Sequence, residues 1–443
     1  SLSAFNHALL LIPVQLPWCN HDICNVTHAN FSFWTKLRRS PIKKPKIIRV
    51  FVSTSVLLEK KMLTFPALLV CIKLCIFLSN DIYLPAVMEI MTDLEIPENW
   101  LHYSLTAWFL GAASSQLLIA PLSERFGRRP ILLGGGLLFV ISSLACANAV
   151  TAMGLMTARF FQGVSVSIVN NTSCATIHES YERHEAIALS AWMSGITVLA
   201  PLLGPLIGVW LLHFVSWRAL FLGLAVGAGL CLVFLYVYMP ETNLHGKENA
   251  LSLRHISSQY YKIVTNKEFM LYSMPAAMLM GGIIAWLSAG PFLIHDVYDL
   301  NQEAFGWAQI FICLSYTLAT RLLHKDNYDQ WLSFGKGILL FSAVLFLCLP
   351  TFGVNHVVTL IALMVAYNFA GGLCFTLMQR FAIESSQENM DSRVAILSTC
   401  SRGVSALSSA VVALLYNQTL ASFTCLMGGI ALVAGLMMRN KLN

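Results

Sequence analysis

Two residues set in apolar stretches have the chemistry to move protons. Asp81 lies in KLCIFLSNDIYLPAV, and Arg159 opens Arg159-Phe160-Phe161-Gln162-Gly163. A carboxylate within hydrocarbon costs about 2.5–3.5 kcal/mol on insertion scales, so it is kept where it faces a cavity or a partner. An arginine stays charged at any relevant pH and offers a rigid two-pronged contact to a carboxylate. It can hold Asp81 ionised or, when the surroundings rearrange, let it take up a proton. The structural alternatives are a satisfied polar group at a helix kink for Asp81 and a bundle brace for Arg159.

Other polar groups in the apolar runs bear on what such a site would bind. Lys73 stands eight positions before Asp81, Arg402 lies within Ser398–Ser408, and Lys336 begins a later run. If Lys73, Arg159 and Arg402 share one cleft, three cations oppose one acid. A low-dielectric cleft of one sign concentrates the opposite sign. The pattern predicts an anionic or zwitterionic small molecule, for example a polycarboxylate siderophore, ahead of a lipophilic cation. Snorkelling to the interface is the plainer role for Lys73 and Lys336, for Lys336 above all. Asn80, Trp108, Gln116, Asn171 and Tyr367 are further cavity candidates, with Asn170, Asn368, Gln379 and Arg380 behind them. No His pair has the H-E-x-x-H spacing of a metal site and no phosphate-binding glycine loop appears. Neither metal nor cofactor is expected, and the chain is not read as an enzyme.

These residues need a membrane to give them meaning, and the composition supplies it. Of 443 residues 57% are apolar and 11% charged, with mean hydropathy +0.67, too apolar for a soluble chain. The formal charge of +6 invites a nucleic-acid reading, yet nine Lys and Arg against Asp22 and Glu59 fall in residues 1–61. The remainder is near neutral, so no nucleic-acid partner is expected. Twelve cysteines, most of them single within apolar runs (Cys146, Cys231, Cys313, Cys374, Cys425), read as small buried hydrophobes.

From Met62 the chain divides into twelve runs of about the twenty residues needed to cross a bilayer. They extend from Leu63–Met88 and Trp100–Pro121 to Val394–Tyr416 and Thr419–Met438. Arg125, Arg128, Arg129, Arg183, Lys247, Arg254, Lys262, Lys267 and Lys325 fall in alternate loops, with Arg439 and Lys441 in the tail. Arg218 is the one base found on the other side. The positive-inside tendency places both termini in the cytoplasm. The fold class is an all-α membrane protein of two six-helix halves, 62–240 and 269–443, joined by a polar interval 241–268. Within that interval Leu251–Val264 has the spacing of an amphipathic helix on the inner membrane surface. Residues 1–61 hold no methionine and no helical periodicity, and translation is expected to start at Met62. A basic arm or a signal peptide are the alternatives.

The turn Ala120–Pro130, APLSERFGRRP, resembles the G-x-x-x-D-R-x-G-R-R link between the second and third helices of major facilitator superfamily transporters. Arg125, Gly127, Arg128 and Arg129 fit; Ala120 and Glu124 depart from the pattern. Ser79–Ala86 resembles the first helix of the Bcr/CflA-type drug/proton antiporters, where Asp is followed by Tyr-Leu-Pro-Ala. Arg159–Gly163 matches R-x-x-Q-G of the same families. Pro240-Glu241-Thr242 matches a tripeptide common at this place in the superfamily. Gly195, Pro201, Gly204, Pro205 and Gly208 resemble the exporter pattern of the fifth helix, and such residues both bend a span and let another helix approach.

The resemblance implies a twelve-helix, proton-coupled efflux antiporter of drugs or small metabolites in a bacterial inner membrane. A carrier of an anionic metabolite or siderophore on the same scaffold is the alternative. It implies Asp81 as proton site, Arg159 as its counter-ion, and Glu124–Arg129 as a latch whose charges pair in one state. Protons are the coupling ion, membrane lipids the surroundings, and a monomer the expected state.

Overall fold

The computed structural model describes residues 65–242, 253–323, 327–350 and 356–438. The leader 1–61, Met62, Lys247, Lys325, Arg439 and Lys441 lie outside the described residues. Every regular element described is helical. The first six are α1 Phe65–Leu94, α2 Glu98–Phe126, α3 Arg128–Ala147, α4 Ala152–Ser180, α5 Arg183–Leu212 and α6 Trp217–Tyr238. α7 Leu253–Thr265 occupies the polar interval where an amphipathic helix was expected. There follow α8 Lys267–Phe292, α9 Gln302–Leu322, α10 Tyr328–Cys348, α11 Val357–Glu384, α12 Met390–Leu415 and α13 Leu420–Met437.

Ten of these, among the described residues, are long and apolar enough to cross a membrane. α5 and α9 are the two expected spans outside that set. The apolar part of α5 is the shorter Leu199–Leu212, and α9 carries Glu303, Gln309 and Arg321. The chain is a multi-pass membrane protein.

Helix boundaries depart from the apolar runs in two instructive ways. α1 is not continuous: helix ends at Asp81, turns through Ile82 and Tyr83, makes a 3-10 turn over Leu84–Ala86 and resumes at Val87. Pro85 is the cause, because its ring has no N–H and excludes the carbonyl four residues back, that of Asp81. α2 and α4 instead run on past Pro121 and Ala175, to Phe126 and Ser180. Helical hydrogen bonding needs no apolar side chain, so a helix can outlast the hydrocarbon layer.

α2 and α3 both pack on α4, and α3 on α6. The later helices repeat the arrangement, with α9 and α10 on α11 and α10 on α13. α2 against α12, and α5 against α9, join the two sets. α2 and α4 approach through a reciprocal pair of glycines. A Cβ on Gly163 would strike the Trp108 carbonyl oxygen, and one on Gly111 that of Phe160. The glycine of the R-x-x-Q-G motif is therefore a packing residue.

Gly163→Ala is expected to cost about 1–3 kcal/mol through overpacking, read as a lower melting midpoint in detergent. Gly134→Ala, where a Cβ meets nothing within 4 Å, should leave the midpoint where it was. Equal effects of the two changes would contradict this packing.

Candidate functional site

The break in α1 puts Asp81 at the end of a helical segment, 4% exposed. Its Oδ1 accepts a hydrogen bond from Asn80 Nδ2 at 3.2 Å. α5 closes over it through the glycines of the fifth-helix motif. A Cβ on Gly204 would stand 2.8 Å from Asp81 Cβ, and one on Gly208 would strike the Ile82 carbonyl oxygen. Pro201 and Pro205 lie inside α5 beside them, and Gly195 lies earlier in the same helix. The first-helix and fifth-helix motifs, more than a hundred residues apart, are thus one contact.

Arg159 is fully buried in α4. Its Nη1 donates to the Ser79 carbonyl and to Gln162 Oε1, both at 2.9 Å. Gln162 Nε2 in turn donates to Ser143 Oγ at 2.8 Å. The guanidinium lies 4.2 Å from the centroid of the Tyr83 ring, whose hydroxyl pairs with Ser104 Oγ at 2.9 Å. Arg159 is therefore fixed to the backbone of α1 two residues from Asp81, without forming an ion pair with it in this conformation. Its Nε and Nη2 are buried without an acceptor, as Asn80 Oδ1 is without a donor.

The cavity candidates separate into three groups. Lys73 is 4% exposed, so it does not snorkel, and its ammonium is 5.9 Å from the Phe77 ring centroid. Arg402 reaches across to α4 and donates from Nη1 to Ser167 Oγ at 2.7 Å. Asn171 is half-buried, with Asn170 Nδ2 at 3.4 Å from its Oδ1. Tyr367 is instead a packing pin, fully buried against Gly282 with its hydroxyl donating to the Leu279 carbonyl at 3.0 Å. Trp108 and Gln116 are buried too, Trp108 edge-on to Phe109. Lys336 donates to the Met438 carbonyl at 2.9 Å, an end-of-helix role.

The basic turn is organised by acids that the turn itself does not contain. Gly127 joins α2 to α3 at φ +97°, a backbone conformation that other residues rarely adopt. The Glu241 carboxylate accepts from the backbone N–H of Arg128 at 2.9 Å and of Arg129 at 3.1 Å. It caps the positive end of α3. The Arg128 guanidinium is bidentate on Glu179, 2.8 Å at the closest, and also bonds Ser123 Oγ. Thr242 Oγ1 donates to the same Glu179 at 2.7 Å. Arg129 Nη2 donates to the Tyr236 carbonyl at 2.6 Å, and Arg125 lies over Phe126. Glu124 is half-buried, and the acid facing Arg128 is Glu179. Sequence reasoning noted Pro240-Glu241-Thr242 as a marker and passed over its partner, Glu179.

At the opposite end a closure forms that no sequence signal announced. His102 is 1% exposed, with Nδ1 3.0 Å from Ser288 Oγ of α8. Ser409 of α12 donates to the His102 carbonyl at 3.0 Å. Phe292 and Tyr416 flank the imidazole ring. His213 of α5 approaches Glu303 of α9 at 3.7 Å.

The repeated helix-on-helix packing agrees with what comparison with known proteins finds. Residues 69–410 match the Major Facilitator Superfamily. The chain belongs to this superfamily. It is a membrane transporter, not an enzyme. It is 28% identical to the chloramphenicol resistance protein CraA of Acinetobacter baumannii over 336 residues, covering 74% of this chain and 80% of that protein. It is 30% identical to the multidrug transporter MdfA of Yersinia pestis over 286 residues, 63% of this chain and 69% of that one. In fold it is similar to the xylose transporter XylE from E. coli, with TM-score 0.63 at 14% identity over 84% of this chain and 97% of that chain. The human organic anion transporter MFSD10 gives TM-score 0.57 at 15% identity, over 86% and 99% respectively.

Glu241→Gln keeps the side chain's shape and removes the charge at the start of α3. About 1–2 kcal/mol of stability is expected to go with it, measured as a lower melting midpoint of the purified protein. An unchanged midpoint would mean that the cap carries no energy.

Proposed function

We propose that the protein is a proton-coupled antiporter that exports drugs or small metabolites across a bacterial inner membrane. In this reading the bundle has twelve spans and both termini are cytoplasmic. Residues 62–240 and 269–443 form the two halves, and 241–268 link them. The substrate site lies between the halves near midplane, and rocking of one half against the other gives alternating access. The names of the curated relatives, a chloramphenicol resistance protein and a multidrug transporter, support export of foreign compounds. The protein works as a monomer, with protons as the coupling ion and no other cofactor.

One observation carries the coupling: Asp81 is buried at the break of α1 with a single hydrogen bond, beside an arginine that has two donors unused. With a proton on, Asp81 is neutral and needs no cation. With the proton off, a small shift of the α1 break brings the carboxylate to Arg159 Nε and Nη2, while Nη1 keeps the Ser79 carbonyl. Proton binding then selects between two arrangements of α1. α5 follows, because Gly204 and Gly208 leave no slack between the helices. In this reading the contacts around His102 close the end away from Gly127, the outer end in this topology. A second reading, carriage of an anionic metabolite or polycarboxylate, is favoured by Lys73 and Arg402, which meet no carboxylate among the described residues.

Proton movement in inside-out vesicles tests the proposal. Adding a lipophilic cation should release protons through the parent, and Asp81→Asn should abolish the release. Arg159→Gln should reduce it at least tenfold while the protein still inserts. Release that persists in Asp81→Asn removes the carboxylate from the coupling site. Release driven by polycarboxylates alone selects the second reading.

A further inference from the structure

α4 carries Ser167, Asn171, Cys174 and His178 at spacings of four, three and four, which is one face of a helix. That face is open. Asn171 is half-buried and Cys174 and His178 are exposed, whereas Thr172, Ser173, Thr176 and Ile177 beside them are buried. Three other helices bring polar groups to it. From α1 comes the Lys73 ammonium, within electrostatic reach of Cys174. From α5 comes Ser190 Oγ, 3.3 Å from His178 Nε2. From α12 comes Arg402, on Ser167 Oγ. Ser167 has already given its own proton to the Ala112 carbonyl at 2.8 Å, so its lone pair is what it offers Arg402.

Two cations thus stand along one polar face with no carboxylate partner among the described residues. Lys73 meets neither a carboxylate nor a hydrogen-bond acceptor among the described residues, and Arg402 meets Ser167 but no carboxylate. Asp81, eight residues further along α1, is held by Asn80 and covered by α5. A cation out of water without a partner is costly, and snorkelling is closed to a lysine this deeply buried.

We propose that Lys73 of α1 and Arg402 of α12, against this face of α4, form a subsite for a carboxylate, and that the preferred substrates are zwitterions whose cationic part lies toward the α1 break. The inference rests on reading the bundle as a proton-coupled exporter, and it names the substrate class of that same cavity. Because Lys73 belongs to one half and Arg402 to the other, a bound carboxylate bridges the halves. Its departure frees them to separate.

A matched pair of dyes tests this on the full chain purified in detergent. Rhodamine 110 carries a free carboxylate, and rhodamine 123 is its methyl ester with the same cationic ring system. Fluorescence polarisation should show rhodamine 110 binding weakened tenfold or more by Lys73→Gln and by Arg402→Gln. Rhodamine 123 should bind more tightly to both variants, since a like charge has gone. Lys73→Arg should hold rhodamine 110 within threefold of the parent and shows that charge, rather than folding, is being read. Equal loss of both dyes, no change for rhodamine 110, or a parent that binds rhodamine 123 alone overturns the subsite. The antiport reading fails separately. Proton release by rhodamine 123 with rhodamine 110 binding indifferent to the substitutions sinks the subsite and leaves antiport standing. Charge-dependent rhodamine 110 binding without proton movement under either dye does the reverse.

Discussion

The contact between the break in α1 and the glycines of α5 is what the rest of the site depends on. Pro85 denies the Asp81 carbonyl its helical partner, so α1 must turn where the carboxylate sits. Gly204 and Gly208 then let α5 lie against the turn at a distance that any side chain would forbid. A charged group is tolerable in hydrocarbon when its surroundings are fixed and polar. Here they are the Asn80 side-chain amide and the close-packed glycine surface of α5. Arg159 completes the arrangement by tying α4 to the Ser79 carbonyl, so three helices converge on one turn of chain.

The same economy appears at the Gly127 turn. Helix α3 begins with two arginines, a poor start for a helix whose own dipole is positive there. Glu241, from beyond α6, supplies the missing negative charge to the two backbone N–H groups. Glu179, from the end of α4, takes the Arg128 guanidinium. The basic turn is therefore stable because the far end of the first six helices folds back on it. Its neutralisation ties together the ends of α2, α4 and α6.

Buried donors without acceptors cluster beside the α1 break. Arg159 keeps two such donors and Asn80 one such acceptor within a few residues of Asp81. An unmade hydrogen bond in a dry environment is costly, so these are the groups that a shift of the α1 break would satisfy. The cross-links around His102 join α2, α8 and α12 at one end of the bundle, while Arg402 and Ser167 meet midway.

Composition and spacing alone determined that this is a helical membrane protein, because a backbone in hydrocarbon has to satisfy its own hydrogen bonds. They also singled out Asp81 and Arg159, since ionisable groups within apolar runs are conspicuous by their cost. The turn motif and the fifth-helix glycines were legible as patterns. Their meaning was not, because a glycine records only that something comes close, never what. Tertiary structure decided that Gly204 meets Asp81, that Glu179 rather than an acid of the turn receives Arg128, and that Tyr367 packs where a cavity residue was expected. It also assembled His102 with Ser288 and Ser409 from three separate helices. Each of these is a contact between residues far apart in the chain, and nothing in the local sequence sets the register at which two helices meet.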